Sequence, residues 1–418
     1  MSEYKSFDLL RKMYFVRTAG SAEDKKVQEI LLDECKKFTD DVVLEEFDID
    51  GYEIKKASLV FHDPQMSFDC AGVGLSGSTD QCGVTGEFCY LSSEADVEVS
   101  DIEGKICLVT GKLVKVSMYK KIFNKKPAGL ILTTGSVYDS NGDTDLDPYM
   151  YRDKHYNIGK IPAVCISMSD AEKLLRAMPL KSTLTIIQDE KVNKTSNVVA
   201  TIEGGSKKDE VVAFTAHYDS VSFSRGAYDN ATGCICIMQL LSYYSQHKPD
   251  RTLKFIFCGA EEMGLLGSKA YVEKHADQLD KYCLNINVDM VAVTIGYDIA
   301  CATSGMDLVN YINYEGKING FAIMAKQGVY SSDSTPFADK GVPAVSFARI
   351  APNGGAQIHS KKDVIDFLSE NNYYKTCDFL TKFSERLINS ICFPVKRDIP
   401  ENMKEELDYY NGRKERKN

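Results

Sequence analysis

The alternation of strands and helices after residue 195 constrains the fold of this chain more than any other feature. Four continuous apolar runs are predicted to be buried strands, at residues 197–202, 211–216, 253–258 and 284–288. Residues 231–244 and 265–275 have the apolar spacing of helices between them. This pattern predicts an α/β fold with a mixed, mostly parallel sheet flanked by helices. Ligands of such sheets bind beyond the carboxyl ends of the strands.

Length and charge limit the class of protein. At 418 residues the chain exceeds the usual size of one hydrophobic core, so we expect two domains. The net charge of −10 argues against a nucleic-acid partner, because a polyanion binds a basic surface. No apolar run is long enough for a transmembrane helix, and no secretory signal is evident. We therefore expect no membrane partner.

The thirteen cysteines indicate a reducing compartment. Their number is odd, their spacing matches no disulfide framework, and several lie inside apolar runs, such as Cys107, Cys165 and Cys258. Thiols used as small apolar side chains are typical of cytoplasmic proteins, so we expect that location. Cys234 and Cys236 alternate with isoleucines in a predicted helix, which favours core packing over a metal-binding pair.

Potential metal ligands follow the second predicted strand. His217 and Asp219 lie two residues apart on extended chain, so the imidazole and the carboxylate share a face. Such a pair can bind a metal ion through the histidine while the aspartate supports the ring. Asp229 lies in the turn 226–233, whose terminal glycines permit a bend that directs this carboxylate back towards the strand ends.

Further candidate ligands follow the other strands. Glu261 and Glu262 follow the third strand and point in opposite directions, so one carboxylate can ligate while the other reaches a metal-bound water. Asp289 ends the fourth strand, and His359 follows a loop that contains glycine and proline. Beyond the strand ends these residues form a set of nitrogen and oxygen donors without a thiolate. That set suits zinc, and cobalt or manganese as substitutes.

The number of candidate ligands is sufficient for two ions that share one carboxylate. Two metal ions roughly 3.5–4 Å apart can polarise a scissile carbonyl and lower the pKa of a bridging water. The remaining glutamate would then shuttle the proton. The sequence thus predicts a two-metal hydrolase site at the carboxyl ends of the strands.

Motifs around these residues resemble those of a known family. The chain is similar to the co-catalytic zinc aminopeptidases of the aminopeptidase Y and bacterial leucyl aminopeptidase type. The motifs are His-Tyr-Asp-Ser-Val at 217–221, Gly-Ala-Tyr-Asp-Asn-Ala-Thr-Gly at 226–233, Ala-Glu-Glu-Met-Gly-Leu-Leu-Gly-Ser at 260–268 and Asn-Val-Asp-Met at 287–290. Residues 332–345 and the run His-Ser-Lys-Lys-Asp at 359–363 fit the same pattern. The resemblance covers residues 190–395, and more loosely Arg-Thr-Ala-Gly-Ser at 17–21.

The resemblance implies a role for each site residue. The implied zinc ligands are His217 and Asp289 for one ion, Glu262 and His359 for the other, and Asp229 for both. Glu261 would be the general base that activates the bridging water, and Asp219 would orient His217. The resemblance also implies a cis peptide bond between Asp229 and Asn230.

The middle of the chain is similar to a protease-associated domain. Its recurring strands match Asp-Ile-Glu-Gly-Lys-Ile-Cys-Leu-Val at 101–109, Ala-Gly-Leu-Ile-Leu at 128–132 and Ile-Pro-Ala-Val-Cys-Ile-Ser at 161–167. We therefore expect a zinc peptidase domain of the exopeptidase, phosphorylase/hydrolase-like type over residues 1–58 and 190–395. A β-rich insertion would occupy 59–189, and a charged tail 396–418. The insertion would shape the substrate cleft without taking part in the chemistry.

One position departs from the family pattern. Many relatives carry a tyrosine before the last zinc-binding histidine, where it helps to hold the oxyanion, but this chain has Ile358 there. Tyr228 and Arg349 are candidates for that role.

The expected activity is removal of the N-terminal residue from a peptide or dipeptide by a two-zinc aminopeptidase. A carboxypeptidase or dipeptidase on the same scaffold is the alternative. A glutaminyl cyclase shares the fold but needs one zinc ion. A non-catalytic binding protein of the receptor-like type would have lost ligands, whereas this chain keeps all of them.

Overall fold

The computed structural model describes residues 4–111, 114–139, 144–146 and 150–414. The chain divides into two compact units, one formed by Met1–Ile49 with Lys194–Asn418 and the other by Asp50–Asn193. Both boundaries fall inside long continuous strands, Val42–His62 and Lys181–Ile202. The expected boundaries, at residues 58–59 and 189–190, lie within the same two strands.

The described residues form fourteen strands and twelve α-helices, numbered in chain order. The strands are β1 (Val42–His62), β2 (Met66–Phe68), β3 (Ala71–Gly72), β4 (Val84–Leu91), β5 (Ile106–Val109), β6 (Gly129–Thr134), β7 (Ala163–Ser167), β8 (Lys181–Ile202), β9 (Lys207–His217), β10 (Arg251–Cys258), β11 (Tyr282–Val288), β12 (Tyr297–Thr303), β13 (Ile323–Gln327) and β14 (Ala344–Ile350). The helices are α1 (Leu10–Met13), α2 (Ala22–Cys35), α3 (Glu94–Val99), α4 (Val116–Asn124), α5 (Asp153–Tyr156), α6 (Met168–Ala177), α7 (Thr232–Gln246), α8 (Leu266–Lys274), α9 (Met306–Ile318), α10 (Ser334–Asp339), α11 (Glu370–Ile388) and α12 (Glu401–Tyr410).

The first unit is built on a mixed sheet with the strand order β13-β12-β14-β11-β9-β10-β8. Its four central strands, β14, β11, β9 and β10, are parallel, whereas β8 and β12 run antiparallel to their neighbours β10 and β14. The predicted α/β class with a mostly parallel sheet is confirmed. Because the central strands are parallel, their carboxyl ends lie along one edge of the sheet.

Residue alternation along the central strands buries both faces of this sheet. Along β10, Phe255 and Phe257 pack in the large core on one face, while Ile256 and Cys258 pack in a smaller core on the other. Helices α2, α7, α9 and α11 contribute to the first core, and α8 contributes Tyr271 to the second. Successive side chains of a strand point to opposite faces of the sheet. In a sheet that is covered on both faces, neighbouring residues of a strand are therefore both apolar.

The second unit carries its own sheet, with the order β8-β4-β5-β6-β7-β3. Strands β4 to β7 are parallel, and β8 and β3 are antiparallel to their neighbours. One core contains Tyr119 and Ile122 from α4, and the core on the opposite face contains Leu174 from α6. This unit is therefore a layered sheet with helices rather than strands alone.

The end of the chain belongs to the first unit. The predicted charged tail 396–418 contains α12, whose Met403 and Leu407 are buried with Ile399 against Ala338 and Ala344. The segment is rich in charged residues, so these three apolar positions were not recognised from the sequence. They are spaced four residues apart and share one face of the segment. Residues 415–418 of the predicted tail lie outside the described residues.

Two observations concern the environment of the protein. No helix among the described residues is long and apolar enough to cross a membrane. None of the thirteen cysteines, all of which lie within the described residues, forms a disulfide bond, and nine of them are buried. Cys234 and Cys236 pack in the core of the first unit, where Cys236 lies beside Cys377 with a sulfur–sulfur distance of 3.4 Å.

Candidate metal centre

The carboxyl edge of the central strands brings the predicted site residues together. Three strand ends supply four of them: His217 ends β9, Asp289 follows β11, and Glu261 with Glu262 follows β10. Asp229 lies in the short helical turn Ala227–Ala231 before α7, and His359 lies in the loop after β14. All of these residues belong to the first unit.

The first cluster consists of His217, Asp229 and Asp289. Each offers one ligand atom, and the three atoms lie within 4.8 Å of one another. Nε2 of His217 is 3.2 Å from Oδ1 of Asp229 and 3.7 Å from Oδ1 of Asp289. All three residues are buried.

The second cluster consists of Asp229, Glu262 and His359, which also offer ligand atoms within 4.8 Å of one another. Nε2 of His359 lies 3.1 Å from Oδ2 of Asp229 and 3.1 Å from Oε2 of Glu262. Burial acts to lower the pKa of His359, but its hydrogen bonds to the two carboxylates outweigh burial and raise the pKa to about 11. Asp229 therefore faces one histidine with each of its two oxygens.

The donor sets fit divalent cations. The side chains of Asp229, Glu262 and Asp289 are only 8%, 9% and 6% exposed. Buried carboxylates this close together repel one another unless positive charge lies among them. Oδ1 of Asp289 is buried without a hydrogen-bond partner among the described residues. Imidazole nitrogens and carboxylate oxygens are donors that zinc prefers, with manganese and cobalt able to use the same set.

Asp219 connects the end of β9 to the turn after β10. Its Oδ1 accepts a hydrogen bond of 3.0 Å from the backbone N–H of Glu261, and its Oδ2 accepts one of 3.1 Å from that of Glu262. Oδ1 also lies 3.5 Å from Nδ1 of His217. This carboxylate thus contacts the ring of one cluster and the backbone of the glutamate pair.

Glu261 has an environment that suits proton transfer. Burial raises its pKa well above the ordinary glutamate value, and the neighbouring acids Glu262, Asp333 and Asp289 raise it further, while His217 acts in the opposite direction. A carboxylate is an efficient general base when its pKa approaches the working pH. The raised pKa moves Glu261 in that direction.

The turn that carries Asp229 is fixed by its neighbours. The peptide bond between Asp229 and Asn230 is cis, as the resemblance implied. The side chain of Asn230 donates to the carbonyl of Val288 and accepts from the backbone N–H of Met290, so the turn is joined to the residues on either side of Asp289. A Cβ at Gly233 would lie 2.3 Å from the carbonyl oxygen of Val288, so glycine is required for this close approach.

The two candidates for an oxyanion donor are engaged elsewhere. The hydroxyl of Tyr228 donates to the carbonyl of Arg349, and Arg349 itself forms an ion pair of 2.6 Å with Asp298. Sequence reasoning missed Tyr330, whose pKa is raised by burial and by the charges of Asp289 and Asp229. The charges of these two candidate ligands act on Tyr330, which makes it a further candidate for the oxyanion contact.

Two buried charged residues near the centre were also missed as site residues. Arg17 appeared only inside a loosely matching run, and Asp363 only at the end of the last motif. Both contact the backbone of the segments that carry the clusters. Neither has a ligand-like sequence setting, and the contacts to backbone atoms depend on the three-dimensional fold.

Comparison with known sequences finds a family match over part of the chain. Residues 197–383 match the sequence model of peptidase family M28, a range that includes both clusters. Over 393 residues the chain is 28% identical to aminopeptidase YwaD of Bacillus subtilis. The matched region covers 90% of this chain and 82% of the relative. It is also 28% identical to carboxypeptidase Q of Mus musculus over 307 residues, covering 68% of this chain and 64% of the relative.

Solved structures show the same fold. A zinc aminopeptidase from Bacillus subtilis called BSAP superposes with a TM-score of 0.77 at 24% identity, over 94% of this chain and 97% of that one. An aminopeptidase from Aneurinibacillus sp. strain AM-1 gives a TM-score of 0.72 at 22% identity, with the same coverage. The fold and the paired acid–histidine clusters define a metal-dependent hydrolase. Residues 197–383 are similar to peptidase family M28, and the chain is a zinc metallopeptidase.

Proposed function

We propose that this chain is a two-zinc aminopeptidase that releases the N-terminal residue of a peptide. The observation that carries the proposal is that the two clusters share Asp229, with one of its oxygens at each histidine. A shared carboxylate is the arrangement expected where two ions lie side by side. The similarity to an aminopeptidase extends over nine-tenths of this chain, which includes both units.

Five residues would hold the two ions. His217 and Asp289 would bind one, Glu262 and His359 the other, and Asp229 both. When bound, two divalent ions polarise the scissile carbonyl and make a water molecule nucleophilic at neutral pH. Cobalt or manganese could occupy the same donors.

Glu261 and Asp219 would serve the reaction without binding the metal ions. Glu261 accepts the proton of the attacking water and passes it to the leaving amine, a task for which its raised pKa is suited. Asp219 holds the Nδ1 side of His217, so that Nε2 faces the first cluster.

A carboxypeptidase is the second candidate, because carboxypeptidase Q is among the similar proteins. The two activities differ in the substrate end that must be free. An aminopeptidase requires a free α-amine, whereas a carboxypeptidase requires a free α-carboxylate and tolerates an acetylated amine.

A substrate panel tests the proposal. Metal-stripped protein is assayed with aminoacyl, N-acetyl-aminoacyl and dipeptide substrates before and after addition of zinc. We expect zinc to restore hydrolysis of free-amine substrates, including those with a blocked carboxylate. Restored hydrolysis that extends to acetylated substrates but requires a free carboxylate would establish the carboxypeptidase alternative, and hydrolysis unaffected by metal removal would contradict the two-zinc proposal.

We also propose that the second unit is a protease-associated domain and that the protein is cytoplasmic. All of the proposed ligands and the proposed base lie in the first unit, which supports a non-catalytic role for the second. The lack of disulfide bonds among the thirteen cysteines of the described residues supports a reducing compartment. Fractionation of the source cells should recover the protein with cytoplasmic markers, and recovery outside the cytoplasm would contradict this location.

A further inference from the structure

The shared carboxylate of Asp229 lies at the end of a loop, residues 226–229, that is held by a buried cation. Arg17 is fully buried, and its guanidinium donates to the backbone carbonyls of Tyr218, Arg225 and Gly226, the last over 2.7 Å. Tyr218 adjoins His217, and Gly226 precedes Asp229 by three residues. One side chain from the start of the chain therefore joins the backbone of two segments that each carry a ligand.

Backbone contacts reinforce this connection. The N–H of Arg17 donates to Oγ of Ser220 over 3.1 Å, and the N–H of Ser220 donates to the carbonyl of Arg17 over 3.3 Å. Gly226 has a φ of +54°, and a Cβ there would lie 2.8 Å from Nη2 of Arg17. The glycine thus permits both the left-handed turn and the close approach of the guanidinium.

A buried anion holds the same loop at its other end. Asp363 is 2% exposed, and its two oxygens accept hydrogen bonds from the backbone N–H groups of Tyr228 and Asp229, over 2.7 Å and 3.1 Å. Asp363 follows His359 by four residues. It therefore links the loop of the shared carboxylate to the segment that carries the histidine of the second cluster.

We propose that Arg17 and Asp363 are positioning residues of the metal centre, which together set where the carboxylate of Asp229 lies between the two ions. The guanidinium of Arg17 donates hydrogen bonds to carbonyl groups of the loop, and the carboxylate of Asp363 accepts hydrogen bonds from its N–H groups. The two residues therefore fix the loop through complementary contacts. Hydrogen bonds from buried charged groups are among the stronger ones, and a lost partner leaves buried backbone groups unsatisfied. The inference rests on the proposed two-metal function.

The test compares conservative substitutions with a matched control. Arg17→Lys keeps the charge but loses the planar fork, and Asp363→Asn keeps one acceptor oxygen but not two. Arg251→Lys is the control, because Arg251 is also buried and donates to the carbonyls of Ile388 and Ser390, over 2.7 Å and 2.9 Å. It lies at the start of β10, at the opposite end of the strand from Glu261.

The measurements are zinc affinity by chelator competition and the visible absorption spectrum of the cobalt-loaded protein. We expect Arg17→Lys and Asp363→Asn to weaken binding of at least one ion by about 10- to 100-fold and to alter the cobalt spectrum. Arg251→Lys should lower the melting temperature while leaving both readouts as in the wild type. If Arg17→Lys does not fold, Asp363→Asn decides alone.

Failure of this inference can be distinguished from failure of the proposed function. A wild-type protein that binds fewer than two zinc ions would contradict the two-metal proposal and, with it, the role of the positioning residues. The positioning role alone would be overturned by a different result. In that case the wild type binds two ions, and a folded Arg17→Lys or Asp363→Asn variant binds both ions within twofold of the wild-type affinity and has the wild-type cobalt spectrum.

Discussion

The backbone N–H of Glu261 donates a hydrogen bond of 3.0 Å to Oδ1 of Asp219. The same oxygen lies 3.5 Å from Nδ1 of His217, so one carboxylate contacts both the proposed base and a proposed ligand. The position of the base is therefore linked to the orientation of the first cluster. A change at Asp219 should affect metal binding and proton transfer together.

Replacement of Asp219 by asparagine tests this link. Asp219→Asn keeps the size of the side chain but loses one acceptor for the two backbone N–H groups. We expect zinc affinity to fall by about 10- to 100-fold, and kcat to stay reduced even when zinc is saturating. Zinc titrations and steady-state kinetics measure the two effects. A variant whose kcat recovers fully at high zinc would show that Asp219 acts on metal binding alone.

Replacement of Glu261 by glutamine separates metal binding from proton transfer. Glu261→Gln should bind two zinc ions normally, because Glu261 is in neither cluster, yet lose at least about 100-fold in kcat as a base is removed. Glu262→Gln is the matched comparison on the neighbouring residue and should lose zinc from the second cluster. Near-normal turnover of Glu261→Gln would exclude this residue as the base.

Tyr330 is the third site for a test. Burial and the charges of Asp289 and Asp229 raise the pKa of its phenol, and Ile358 occupies the position at which the family resemblance led us to expect a tyrosine. We expect Tyr330→Phe to lower kcat by roughly 100- to 1,000-fold with little change in KM, as for the loss of an oxyanion donor. Zinc content by elemental analysis should stay at the wild-type value. Unchanged kcat would assign the oxyanion contact to another group.

The last helix should contribute to stability despite its charged sequence. Met403 is 5% exposed and packs with Ala338 and Ala344, so Met403→Ala should reduce the free energy of unfolding by about 2–5 kcal/mol. Lys404→Ala, at an exposed neighbour, should change it by less than about 0.5 kcal/mol. Urea denaturation followed by circular dichroism gives both values. Equal unfolding midpoints for the two variants would argue against the packing of α12.

Much of the fold could be predicted because its signals are local. Continuous apolar runs predicted the central strands β9, β10 and β11. Most candidate ligands could be predicted because they follow a strand or lie in a glycine-bounded turn, whereas His359 was identified from its motif at 359–363. Parallel strands then bring these positions to one edge of the sheet.

The remaining features depend on contacts that are distant in sequence. Arg17 reaches the carbonyl of Gly226 across about two hundred residues, and no local pattern marks a side chain that binds backbone atoms. The unit boundaries fall inside β1 and β8, where the strand signal is uninterrupted. Arg349 was a candidate for the oxyanion contact, but its ion pair with Asp298 could be seen only once both strands were paired.

Zinc titration of the metal-free protein, with metal content and free-amine peptide hydrolysis followed together, tests the central claim most directly. The shared position of Asp229 predicts two zinc ions per chain at saturation, with full activity only when both are bound. Asp229→Asn should lose at least one ion and nearly all activity. A wild-type protein that reaches full activity with a single zinc ion, or with none, would contradict the two-metal account.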